Sequence, residues 1–198
     1  MKQEIIKPGF TYHIYNRGNN KENIFKEEKN YHYFLRLLQK HLLCICNIYS
    51  YSLLKNHFHI LLRIKESENI PEKYRTKVSQ PFSNMFNAYT KGINKVYDRS
   101  GSLFQEHFQR HRVNNQRYLV NLMLYIHLNP VKHGFCEEFS KYRFTSYNAY
   151  LSDEFSFVDK TAIFEIMGGK ENFIYLHDQK NIVYDELLEE IEALDDQP

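Results

Sequence analysis

His57 and His59 stand one residue apart in the apolar segment 51–64. The segment alternates like a β-strand, along which residues two apart project to one face. Two imidazoles side by side on a strand supply most of the protein donors that a divalent metal needs. The same spacing also suits two half-buried histidines hydrogen-bonded to their neighbours. A second constellation is Tyr125 with Asn129. Four residues apart on a helix, they share a face. Pro130 is tolerated only near helix edges and biases the residue before it away from helical geometry. The helix is therefore expected to run to about Leu128, with Asn129 at its end, the amide oxygen able to point at a metal and the Tyr125 phenol one turn earlier. The plainer alternative places Tyr125 in a core stripe with Leu122, Ile126 and Leu128 and makes Asn129 a C-cap. His127 points away from the shared face and reads as structural.

The elements that must position these groups follow from periodicity. Residues 9–15 alternate and are aromatic, a first strand, followed by turn chemistry at 16–21. Residues 29–43 carry Tyr33, Phe34, Leu37, Leu38, His41 and Leu42 at helical spacing. Strands are expected at 45–53 and 56–64, then a charged, exposed loop over 65–78. A second helix at about 79–97 presents Phe82, Phe86, Tyr89, Ile93 and Val96 inward, weakened modestly by Gly92. Residues 102–113 read as a fourth strand, and Asn114 or Asn115 caps the helix that carries Tyr125. Strand, helix, strand, strand, helix, strand and a further helix predict an α+β fold. It is a ferredoxin-like split βαβ antiparallel sheet with helices on one face, plus a helical C-terminal extension.

Charge divides the chain in the same place. Residues 1–150 hold 23 Lys/Arg against 11 Asp/Glu, whereas residues 151–198 hold 3 Lys against 13 Asp/Glu. A basic body suits a polyanion, nucleic acid before acidic protein. The acidic part is expected to form an amphipathic helix over about 184–194, more a solvated surface than a mask over the basic body. The division predicts two parts, a basic domain over 1–150 and an acidic helical extension over 151–198. No run of apolar residues reaches membrane-spanning length and the N-terminus lacks a secretory core. Cys44, Cys46 and Cys136 form no disulfide framework, and an odd count suits a reducing, cytoplasmic setting.

Four segments together resemble the single-tyrosine HUH transposases, most closely the branch associated with repetitive extragenic palindromes (REP). They are Tyr12-His-Ile-Tyr-Asn-Arg17-Gly18, Asn56-His57-Phe58-His59-Ile-Leu-Leu, Gly101-Ser-Leu-Phe-Gln105 and Tyr125-Ile-His-Leu-Asn129-Pro130-Val-Lys-His-Gly134. The resemblance covers roughly residues 8–150. It implies a metal site made by His57, His59 and Asn129, the last standing where other branches have Gln, and Tyr125 as nucleophile. The implied cofactor is a divalent ion, magnesium or manganese. The implied reaction nicks and rejoins single-stranded DNA through a 5′-phosphotyrosine link. The substrate is expected to be single-stranded or hairpin DNA, handled by a monomer or homodimer with no membrane partner. Arg110, Arg112 and Arg117, with Lys91 and Lys95, are candidates for phosphate contacts, and Phe108, Tyr118 or Tyr142 for base stacking. Two rival readings are a catalytically silent DNA-binding descendant and a metal-dependent nuclease that cuts without a tyrosine adduct.

Overall fold

The computed structural model describes residues 4–179 together with Glu189. Its framework is a four-stranded antiparallel sheet in the order β2-β3-β1-β4, formed by β1 (Thr11–Arg17), β2 (Cys46–Leu53), β3 (His57–Ile64) and β4 (Gln109–Val113). Between strands run α1 (Glu28–Leu42), the single turn α2 (Glu72–Arg75) and α3 (Gln80–Val96). Then come α4 (Gln116–Lys132), α5 (Tyr147–Leu151), α6 (Lys160–Met167) and α7 (Lys170–Gln179). This is the ferredoxin-like order that the sequence predicts, with all neighbouring strands antiparallel.

Alternation along β3 sorts the side chains onto two faces. Phe58, Ile60 and Leu62 join Tyr12 and Ile14 of β1 on the face that α1 and α3 cover. There Phe58 packs on Phe34 and Phe86 at ring-centroid distances of 5.0 and 5.5 Å. Tyr89 fills the junction and spends its hydroxyl on the Ile24 carbonyl at 2.7 Å. Gly92 is what lets α3 lie so close to α1, since a Cβ there would stand 2.6 Å from the Tyr33 ring. The helix propensity lost to glycine, about 1 kcal/mol, is offset by this interhelical packing.

The other face receives α4, the further helix of the sequence reading. Ser50 and Ser52 of β2 and the histidines of β3 leave it a shallow, polar bed. Most of α4 is buried all round, because α5 to α7 close over its outer side. The extension is attached to the sheet directly. Val158 bridges Ile48, the Asp159 amide donates to the Ile48 carbonyl at 2.8 Å, and Ile163, Met167 and Phe173 enter the same core. The acidic helix expected over about 184–194 lies outside the described residues, apart from Glu189, which is exposed.

Four local expectations are corrected. The first strand begins at Thr11 and runs on to Arg17 rather than covering 9–15. Only the end of the 102–113 segment is strand. Leu103 and Phe104 instead turn inward as core residues, touching β1 through a lone bridge from Phe104 to Gly18. Val96 is 59% exposed and does not belong to the inner stripe of α3. The helix carrying Tyr125 does not stop before Pro130 but continues to Lys132 and closes on a Schellman turn. Gly134 takes φ +69°, with the Gly134 and Phe135 amides donating to the Val131 and Pro130 carbonyls at 3.0 and 2.8 Å. The proline removes one amide from the ladder, and the turn four residues later sets the true end.

Candidate active site

The register of the histidine-bearing face is set by β3 and β1 together. His59 lies opposite Tyr15, and His57 opposite Arg17, so His13, Tyr15, His57 and His59 share one face. Asn115 starts α4 by accepting the Tyr118 amide at 2.8 Å. From that start, the helix brings Tyr125 and Asn129 down onto the same face. The structure thus gathers the sequence-selected residues His57, His59, Tyr125 and Asn129. His57 Nε2 and Asn129 Oδ1 lie 3.3 Å apart, and the Tyr125 ring meets His59 edge-on with centroids 5.8 Å apart.

Outer contacts orient each imidazole. His57 Nδ1 lies 2.8 Å from the Asn56 side-chain oxygen, and in the tautomer that donates to it Nε2 carries the lone pair. That nitrogen faces Asn129 Oδ1 in a buried setting, where the two acceptors need a proton or a metal ion between them. A neutral imidazole and an amide oxygen are both donors to divalent ions, so the pair fits such an ion. His59 is held from behind by His13, Nδ1 to Nε2 at 3.0 Å. Among the described residues no three His, Cys, Asp or Glu side chains form a ready metal cluster. The third donor of this set is an amide.

Two further layers support the face. His13, Tyr15 and His59 stack on one another, and the Tyr15 hydroxyl reaches His111 Nε2 at 3.1 Å. Gly18 secures Asn56 from the other side by donating its amide to the Asn56 carbonyl at 2.8 Å. A Cβ on Gly18 would lie 2.0 Å from the Glu22 carbonyl oxygen, so no larger residue fits without moving the backbone. Asn56, Gly18 and His13 carry no ligand signature of their own. Their only signal in the sequence is position, immediately beside His57 or within the first-strand motif.

Tyr125 is fully buried. The Lys132 ammonium stands 5.5 Å from its ring centroid. His127, on the far side of α4, sits in a closed chain of hydrogen bonds. Ser146 Oγ lies 2.7 Å from its Nε2, His177 Nε2 lies 2.8 Å from its Nδ1, and His177 Nδ1–H donates to the Phe173 carbonyl at 2.7 Å. Every ring nitrogen of the pair has a partner, and burial favours the neutral form of both rings. Burial pushes His127 well below its ordinary value and lowers His177 to about 4.

The candidate DNA contacts separate. Arg110 and Arg112 pair with Ile14 and Tyr12, so they project to the helix-covered face, away from His57. Arg110 lies over Phe108 at 4.7 Å and Arg112 over Phe10 at 3.5 Å. Arg117 is exposed on the first turn of α4, and Lys91 and Lys95 are exposed on α3. A cleft of about 510 Å³ on the Arg110 side is lined by Asn87, Thr90, Phe104 and Phe108 among others, not by His57, His59, Tyr125 or Asn129. Of the three stacking candidates Tyr118 is buried, Phe108 and Tyr142 are half-buried, and Tyr142 donates its hydroxyl to the Leu53 carbonyl at 2.8 Å. Among the described residues no helix is long and apolar enough to cross a membrane.

No family model matches the chain. A protein of Haemophilus influenzae described as a REP-associated tyrosine transposase is 28% identical over 106 residues, 52% of this chain. That match spans 59% of the relative's length. In three dimensions the chain superposes on a REP-associated tyrosine transposase solved with a REP hairpin, at a TM-score of 0.59 and 17% identity. The superposition covers 82% of this chain and 94% of that one. The sequence match bears out the resemblance drawn from the four motifs, and the structural match bears out the fold.

Proposed function

From a chain that matches REP-associated tyrosine transposases in sequence and in fold, we propose a DNA strand transferase that nicks and rejoins single-stranded DNA beside a hairpin. The observation that carries this reading is the convergence of Tyr125 and Asn129, one helical turn apart, on the two imidazoles of β3. A basic body and a solved relative bound to a hairpin support the substrate class.

His57, His59 and Asn129 would hold a divalent ion, magnesium or manganese. Bound there, the ion would neutralise charge on a nonbridging phosphate oxygen. Asn56 and His13 keep the two imidazoles oriented. Tyr125 Oη attacks phosphorus and loses its proton, while the bond from phosphorus to the 3′ oxygen breaks and that oxygen gains a proton. The product is a 5′-phosphotyrosine and a free 3′-hydroxyl. Because one phosphoester replaces another, a 3′-hydroxyl from a second end can reverse the step and join strands. A phenol with ordinary acidity is a weak nucleophile at neutral pH, so positioning and charge neutralisation supply most of the rate.

The burial of Tyr125 favours a second reading, a DNA-binding descendant that no longer cuts. Under the first reading, DNA engagement must uncover the phenol. Incubating the protein with end-labelled, hairpin-flanked single strands and Mn²⁺ separates the two. The strand-transferase reading predicts a denaturant-resistant protein–DNA adduct that Tyr125→Phe abolishes. DNA bound without any adduct supports the silent module, and cleavage without an adduct supports a hydrolytic nuclease.

A further inference from the structure

We propose that His133 is an additional ligand of the divalent ion, giving the site three imidazoles and one amide oxygen. The inference rests on the metal site proposed above. It starts from a stripe on α4. Tyr125, Asn129 and His133 follow one another at four-residue spacing, so they rise along one side of the helix. The His133 amide donates to the Asn129 carbonyl at 3.0 Å, which ties the two positions together at the last turn. The Schellman turn at Gly134 then carries the chain away and leaves the His133 ring over the helix end, facing β3.

Ring geometry says what His133 faces. Its imidazole lies 5.1 Å from that of His57, centroid to centroid, with the planes at 78°. His59 stands in nearly the same relation to His57, at 5.3 Å and 88°. His57 is thus flanked by two imidazoles at matching distance and crossing angle. Although the His133 residue is only half-buried, its Nε2 is buried, so the donor end of the ring points inward. Among the described residues no three such groups already converge. Ligation would draw His133 in from a helix end, where a terminal side chain has freedom that a mid-helix one lacks.

The chemistry has a consequence for metal choice. Magnesium is bound mainly through oxygen and water, whereas imidazole nitrogen favours the transition metals. A third imidazole should therefore bias the site from magnesium toward manganese and cobalt.

The test titrates the full chain with Mn²⁺ and Mg²⁺ by calorimetry and counts histidine nitrogens on bound Mn²⁺ by pulsed electron paramagnetic resonance. Wild type should show three coupled histidine nitrogens. His133→Ala should show two and lose Mn²⁺ affinity by about tenfold or more, with a smaller change for Mg²⁺. His133→Phe keeps an aromatic ring against His57 but has no donor, and it should behave like His133→Ala. Unchanged Mn²⁺ affinity and nitrogen count in His133→Ala overturns the inference while leaving the three-ligand site intact. Restoration of affinity by His133→Phe also overturns it, by assigning His133 to packing. A wild-type protein that binds no Mn²⁺, or a His57→Ala variant that binds it as well as wild type, overturns the inference together with the site beneath it.

Discussion

The two faces of the sheet are built by opposite means. On one, Phe58 meets Phe34 and Phe86 in contacts that need only shape and the absence of water. On the other, His57, Asn56 and Asn129 meet through lone pairs and protons, contacts that need direction as well as shape. The apolar face holds the strand in register, and the register aims both histidines at α4. A single strand thereby serves stability with its even-numbered residues and chemistry with its odd-numbered ones.

The comparison is broken most severely from the apolar side. Phe58→Ala removes a fully buried ring from between α1 and α3. Loss of such a ring costs about 3–5 kcal/mol, to be read as a lowered midpoint in urea unfolding. The fraction that remains folded should still bind Mn²⁺, because the side chain points away from His57.

A second break comes from pH. His127 and His177 are neutral in the folded protein and have ordinary histidine values near 6.5 when unfolded. Since the unfolded chain takes up protons first, stability from this pair is complete above about pH 6.5 and falls as pH drops toward about 4. The His177 shift alone corresponds to about 3 kcal/mol. Urea unfolding across that pH range should reveal the loss, and His177→Gln should flatten the profile. A wild-type profile with no fall over this window would contradict the closed hydrogen-bond chain.

Asn56→Ala sharpens the comparison from the polar side. It releases His57 Nδ1 without opening a core cavity. Metal affinity measured by calorimetry should fall about 10–100-fold, whereas the urea midpoint should move little. An equal fall in stability would mean that Asn56 acts through the backbone at Gly18 rather than through the imidazole.

Periodicity made the apolar face readable. Alternation in β3 and the stripe Phe82, Phe86, Tyr89 and Ile93 on α3 have one arrangement that buries them all. The positions of His57, His59, Tyr125 and Asn129 were legible for the same reason, since strand and helix repeats decide which residues share a face. Asn56, Gly18 and His13 were not, because their contribution lies in contacts across strands and turns that no local repeat encodes. Residues 102–108 misled through composition. Their aromatic residues suit a strand, but Leu103 and Phe104 are used as core plugs. Pro130 misled through its usual meaning, because the helix end is set by the left-handed turn at Gly134.

If Tyr125 is the nucleophile, DNA becomes attached to its phenol, and the site of attachment can be found chemically. Protein incubated with a hairpin-flanked single strand and Mn²⁺ would be digested with nuclease and protease and its peptides mapped by mass spectrometry. The account predicts a nucleotide joined through its 5′-phosphate to the Tyr125 phenol, and no such mass in Tyr125→Phe. A nucleotide carried by any other residue, or cleaved DNA with no modified peptide, would contradict it.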